Sequence, residues 1–190
     1  HLPQWDGVPL RDDLSARLGA EVLVLKDTDA AARSVLQLGV EPGNHVYVHF
    51  GDGLGAGLIL EGAVYQPRGA YAGEFGHQVV ELGGPLCDCG RRGCVEAVCL
   101  QALSDGNPQR AAETLATALV NLNLLLGVDG VSLGGSVITR YPEIFGNAVD
   151  EALAHSNPAF GTGSVRIMAG AEDAVAHGAA AQILDRFFSA

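Results

Sequence analysis

Residues 73–96 read GEFGHQVVELGGPLCDCGRRGCVE. Three of the four cysteines, Cys87, Cys89 and Cys94, fall within eight positions of this stretch. Glycines frame them and let the backbone fold sharply enough for the thiols to converge. So tight a cluster points to a metal site rather than to a disulfide framework. Zinc favours thiolate and imidazole donors in a tetrahedral set, and a closed four-donor site is usually structural. His77, ahead of Cys87, is the candidate fourth donor. Zinc there would fix a loop with too little core of its own. Cys99 stands apart and reads as a core residue.

Outward from this loop the chain alternates helical and strand patterns. Leu10, Leu14 and Leu18 recur every four residues before Gly19, which predicts a short helix with a glycine stop. Residues 21–25 (EVLVL) read as a buried strand and 30–38 as a helix. Residues 44–50 (NHVYVHF) read as a strand, then a glycine turn, GDGLGAG at 51–57. Strand, glycine turn and the apolar run after it predict a hairpin. Residues 66–96 are rich in loop. Residues 109–127 form a long helical pattern, 130–133 a strand ending in Gly134 and Gly135, and 141–155 a helix. A strand at 165–169 and a closing helix at 171–188 complete the chain. The expectation is one α/β domain over 1–190, a mixed sheet flanked by helices.

The 190 residues suit one compact domain or one large lobe. Hydrophobic residues make up 48% and charged ones 17%, a globular composition. No run is apolar enough for a membrane span, and no signal peptide opens the chain, so it reads as soluble and cytoplasmic. The formal net charge of −11 repels phosphate backbones and argues against this segment gripping DNA itself. The opening HLPQWDGVPL reads as the interior of a longer protein.

The order Gly73-Glu74-Phe75-Gly76-His77, then Cys87-Asp88-Cys89-Gly90, then Gly93-Cys94-Val95-Glu96 resembles the signature of the ROK family of sugar kinases and sugar-responsive transcriptional repressors. The resemblance extends over essentially the whole chain, Trp5 and the phrase WDGVPL included. It implies the larger, sugar-contacting lobe of a two-lobed actin-like or ribonuclease H-like ATPase fold. The smaller lobe carries the family's first phosphate loop, D-x-G-G-T, and is not found in this sequence. The closing helix, with Ile183, Leu184, Phe187 and Phe188, would pack on that lobe, so its apolar face is expected to be partly exposed.

The resemblance also implies roles. His77 would ligate zinc with Cys87, Cys89 and Cys94 and help place the sugar. Glu74 and Glu96 would accept hydrogen bonds from sugar hydroxyls. Asp27 keeps the place of the kinases' general base. Lys26 stands where the family usually has a sugar-contacting Asn, and would favour the charged form of its neighbour Asp27. Asp27 also reads as a helix N-cap or first-turn carboxylate. Gly51, Gly53 and Gly55 resemble the family's second phosphate loop, but Asp52 replaces its usual Thr and would repel a phosphate. Gly134 and Gly135 resemble its adenosine-side loop.

Two functions follow from the resemblance. One is the zinc-containing effector-binding region of a ROK transcriptional regulator, favoured by Lys26 and Asp52, with DNA contacted only through an upstream domain. The other is the corresponding lobe of an ATP- and Mg²⁺-dependent hexose kinase, favoured by Asp27 and the glycine loops. A sugar or sugar phosphate is the small-molecule partner in either, in a homodimer or tetramer.

Overall fold

A computed structural model describes residues 7–39, 43–67, 72–156, 164–168 and 173–188. Its strands are β1 (His45–Phe50), β2 (Leu54–Leu60), β3 (Ala63–Val64), β4 (Gly130–Gly134) and β5 (Ser164–Ile167). They form one mixed sheet in the order β3-β2-β1-β4-β5. The β1–β2 and β2–β3 pairs are antiparallel, while β1–β4 and β4–β5 are parallel. The helices are α1 (Leu10–Leu18), α2 (Asp27–Gln37), α3 (Val95–Ser104), α4 (Pro108–Leu126), α5 (Ser136–Arg140), α6 (Pro142–Ser156) and α7 (Ala174–Phe188).

The central strand β1 shows why the sheet needs helices on both faces. Its side chains alternate between two apolar clusters. Val46, Val48 and Phe50 pack with Leu115 and Leu119 of α4 and with Phe145 and Val149 of α6. The rings of Phe50 and Phe145 meet edge to face, 5.9 Å between centroids. Tyr47 points the other way, with Ala31, Ala32 and Val35 of α2. The sheet is thus the middle layer of three.

Local signals set the helix ends. Gly19 takes the left-handed conformation after α1, with φ 61° and its N–H bonded to Ser15 O. Asn107 caps α4, accepting a hydrogen bond from the Arg110 N–H, with Pro108 in the first turn. At the far end Ile183, Leu184, Phe187 and Phe188 of α7 are exposed, as the sequence leads one to expect.

Three expectations need correction. Residues 21–26 form no strand; the Val22 N–H bonds to Ser15 Oγ of α1 instead of a sheet neighbour, and Val24 is 47% exposed. The glycine turn is shorter than expected, because β2 begins at Leu54 and takes in Gly55 and Gly57. Residues 95–104 form a helix that the cysteine-rich context hid. Val95, Val98, Cys99 and Ala102 are its buried face, a helical spacing that was there to be read. Trp5, Ala169 and the first residues assigned to the closing helix (171–172) lie outside the described residues. Among the described residues no helix is long and apolar enough to cross a membrane.

Candidate functional site

The site is built around the start of α2. That helix lies close over the sheet because β2 offers no side chain at Gly57, where a Cβ would come within 2.2 Å of the Thr28 carbonyl oxygen. On its other side α7 approaches at Gly178, where a Cβ would meet the Ala30 carbonyl oxygen. Glycine in a strand or helix interior here marks close backbone approach. The first turn of α2 is thereby held beside the β1–β2 turn.

A cleft of about 500 Å³ opens there. It gathers Lys26, Asp27, Glu74, His77 and Glu96, the five predicted sugar-contacting residues, from three separate stretches of chain. Gly53 and Gly55 also line it, as do Asp52 and His49. His49 was not singled out from the sequence. Its signal was a polar residue closing the run Val46-Tyr47-Val48, two places before the glycine turn. The buried Tyr47 hydroxyl lies 3.2 Å from His49 Nδ1. Burial, then the charge of Asp27, pushes the Tyr47 hydroxyl up to about 12.

Gly51, Gly134 and Gly135 do not line this cleft. They lie beside it, at the carboxyl ends of the parallel neighbours β1 and β4, where His49 is in register with Gly134. Gly135 has φ +99°, and a Cβ there would clash with the Phe50 carbonyl oxygen at 2.3 Å. The carboxyl ends of parallel strands are where open α/β sheets bind ligands.

Lys26 does not turn toward Asp27. Its ammonium donates to Glu74 Oε1 at 2.5 Å and to the Ala72 carbonyl at 2.9 Å. Asp27 is the first residue of α2, and its Oδ1 accepts from the Thr28 N–H at 2.7 Å. It is therefore both a first-turn carboxylate and a wall of the cleft. Glu96 sits in the first turn of α3, and its Oε2 accepts from the Leu54 N–H at 2.7 Å. The helix N-terminus favours that negative charge.

His77, Cys87, Cys89 and Cys94 converge, with one donor atom from each within 4.8 Å of all the others. Cys89 Sγ lies 3.6 Å from Cys94 Sγ, and Cys87 Sγ lies 3.5 Å from His77 Nδ1. A tetrahedral zinc site, with Zn–S of about 2.3 Å and Zn–N of about 2.0 Å, needs roughly 3.8 Å and 3.5 Å for these edges. The residues present fit such an ion. The loop is drawn tight by backbone bonds from Cys87 N–H to Arg91 O and from Gly93 N–H to Pro85 O. Gly93 has φ +71° and leaves no room for a Cβ beside the Glu81 carbonyl. Hydrogen bonds from Arg91 hold the Cys89 thiol down to about 6, while burial pushes Cys94 up to about 12. The other imidazole nitrogen of His77 is 4.0 Å from Glu74 Oε2, so this residue touches both the cluster and the cleft. Cys99 is fully buried and donates to the Ala111 carbonyl, the core role read for it.

Residues 1–102 match the model of the ROK family. The chain is 31% identical over 204 residues to the N-acetylmannosamine kinase of Vibrio vulnificus, covering 92% of this chain and 69% of that protein. It is 38% identical over 100 residues to the glucokinase of Thermotoga maritima, 52% of this chain and 32% of that one. The chain thus spans about a third to two thirds of the length of these curated relatives. Its fold matches that of a ROK hexokinase from Thermus thermophilus with a TM-score of 0.77 and 25% identity, over 93% of this chain and 71% of the other. A ROK transcriptional regulator described as a homolog of the E. coli MLC protein matches with a TM-score of 0.74 and 23% identity, over 90% of this chain and 54% of the other. The mixed sheet with flanking helices is the one these sugar kinases of the actin-like ATPase fold share. From its motif series, its topology and these likenesses, this chain belongs to the ROK family.

Proposed function

We propose that this chain is the sugar-binding lobe of a ROK transcriptional regulator, sensing a hexose-class sugar without transferring phosphate. The observation that carries this reading is Asp52. Its carboxylate lines the same cleft as Asp27, in the glycine turn where a phosphate would need hydrogen-bond donors. A carboxylate and a phosphate oxygen about 4 Å apart repel by roughly 4 kcal/mol at an effective dielectric of about 20.

In this reading Asp27, Glu74 and Glu96 accept hydrogen bonds from sugar hydroxyls, as an ionised carboxylate does from two adjacent ones. Zinc held by His77, Cys87, Cys89 and Cys94 supplies a structural cross-link. It fixes the loop that presents Glu74, His77 and Glu96, and leaves the sugar to the side chains. Sugar binding favours one of two lobe arrangements, and that difference reaches a DNA-binding region. With a net charge of −11 this lobe is not itself the DNA contact. Assembly as a homodimer or tetramer belongs to the same reading.

Calorimetry of the intact protein with a panel of hexoses, beside an ATP-turnover assay with Mg²⁺, tests it. Sugar binding with no turnover is the expected result. Sugar phosphorylation would refute the sensor.

A second reading, a hexose kinase, is favoured by the retention of Asp27 in the cleft and by the kinases among the relatives. Asp27 would then take the proton from the attacking sugar hydroxyl, with ATP and Mg²⁺ beside the glycine turns. Turnover that survives Asp27→Asn unchanged would exclude that base.

A further inference from the structure

Tyr47 and His49 stand two residues apart on β1 and so share one face of it. This strand is paired on both edges, with β2 and with β4, so the sheet itself fixes where the two side chains sit. Tyr47 is fully buried, and its hydroxyl meets His49 Nδ1 at 3.2 Å. Beyond Tyr47 the imidazole lines the polar cleft. A Cβ at Gly51 would stand 3.1 Å from His49 Nε2 and 3.5 Å from Ser136 Oγ. His49 Nε2 is therefore at the start of the glycine turn.

Hydrogen bonding of the pair sets the tautomer of the ring. A buried phenol O–H must be spent on an acceptor. Tyr47 keeps that proton, because burial holds its hydroxyl up to about 12. His49 Nδ1 is the acceptor within reach. A neutral imidazole whose Nδ1 accepts carries its proton on Nε2. Among the described residues that Nε2–H has no partner.

The other side chains of the cleft are short of donors. Asp27, Asp52, Glu74 and Glu96 only accept when ionised. Lys26 is drawn to Glu74 and the Ala72 carbonyl. The Thr28 hydroxyl is buried away from the cleft surface. His77 faces Cys87 with one nitrogen and Glu74 with the other. His49 is left as the side-chain donor where the cleft meets the glycine turn.

We propose that His49 is a further ligand-contacting residue, whose Nε2–H donates to an acceptor oxygen of the bound sugar. Tyr47 is its positioning residue and holds the ring in the tautomer that can donate. The carboxylates read hydroxyl hydrogens, and His49 reads an oxygen. A sugar with no oxygen at that point leaves a donor unpaired, the condition under which a polar site discriminates most strongly. This inference rests on the sugar-binding reading above and assigns a residue within it.

Calorimetry of the intact protein with glucose, mannose, galactose and N-acetylmannosamine, beside thermal melts, tests it. His49→Asn keeps an acceptor near the place of Nδ1 for the Tyr47 hydroxyl and loses the outer donor. It should melt close to the parent and bind sugar about tenfold more weakly, the loss of one hydrogen bond. His49→Gln carries an amide N–H out to the place of Nε2 and should recover most of that loss. Nitrogen NMR of the His49 ring should show the Nε2–H tautomer alone in the parent and both tautomers in Tyr47→Phe. Parent-like affinity in His49→Asn, no recovery in His49→Gln, or an Nδ1–H tautomer in the parent would each overturn the inference and leave the sugar site standing. If the parent binds none of these sugars, the sugar-binding reading falls and the inference with it.

Discussion

The backbone N–H of Leu54 donates to Oε2 of Glu96 at 2.7 Å, fastening the first turn of α3 to the residue that opens β2. The cysteine loop and the glycine turn therefore share one carboxylate. Glu96→Gln retains an acceptor but loses the charge, and is expected to weaken sugar binding about tenfold with little loss of stability. Glu96→Ala leaves the Leu54 N–H unpaired and should cost about 1–3 kcal/mol as well. Calorimetry and thermal melts of both variants separate the two effects.

Metal analysis of the purified chain should find one zinc per chain. Cys94→Ser, at a fully buried donor, should lose it. Chelation or this substitution should lower Tm by about 10 °C, since a loss of several kcal/mol moves a domain of this size by roughly 2–4 °C for each. Full zinc occupancy in Cys94→Ser would remove that thiol from the donor set.

Lys26→Asn should free Glu74 from its ion pair and strengthen hexose binding. The pair is partly exposed, at 26% and 45% of the two side chains, so the gain is about 1 kcal/mol at most, roughly fivefold in Kd. Weaker binding in this variant would show that Lys26 contacts the sugar itself.

Alkaline pH should unfold the protein through two buried groups. Burial pushes Cys99, and with it Tyr47, to about 12, against ordinary values of 9.0 and 10.0. Between those values the unfolded chain releases protons that the folded chain keeps, so stability falls as pH rises from about 9 to 12. Below pH 9 neither group contributes a slope. Denaturant melts across this range should show shallower loss for Cys99→Ala and Tyr47→Phe than for the parent chain.

Gly178→Ala places a methyl group against the Ala30 carbonyl. Overpacking at such a contact costs about 1–3 kcal/mol, and α2 must shift to relieve it. The variant should melt lower and also bind sugar more weakly, although residue 178 lies outside the cleft. A Tm loss with unchanged affinity would show that α2 holds its place without α7.

The site was more legible in the sequence than the elements around it. The glycine-framed cysteines announced their convergence, because thiols so close in sequence have few ways to stay apart. The five cleft residues followed from a motif series, and nothing in their local pattern alone would have joined Asp27 to Glu96. His49 was missed because its meaning depends on Tyr47 and the turn meeting in space. The apolar run at 21–25 misled for a related reason. Strand propensity describes a side-chain surface, and whether a sheet edge is available to pair with is settled elsewhere in the chain. Gly55 and Gly57 looked like turn residues, and only the neighbouring helix explains why they sit inside a strand.

Between Gly57 and Gly178, α2 meets backbone at two points, with Ala31, Ala32 and Val35 packed against Tyr47 and Ile59 beside them. Side-chain layers absorb small displacements by changing rotamers, whereas backbone against backbone does not. The contact at Gly178 therefore falls on the Ala30 carbonyl, three residues along α2 from Asp27. The exposed phenylalanines at the end of α7 lie on the same helix as that contact, so what covers them and what positions the start of α2 share one element.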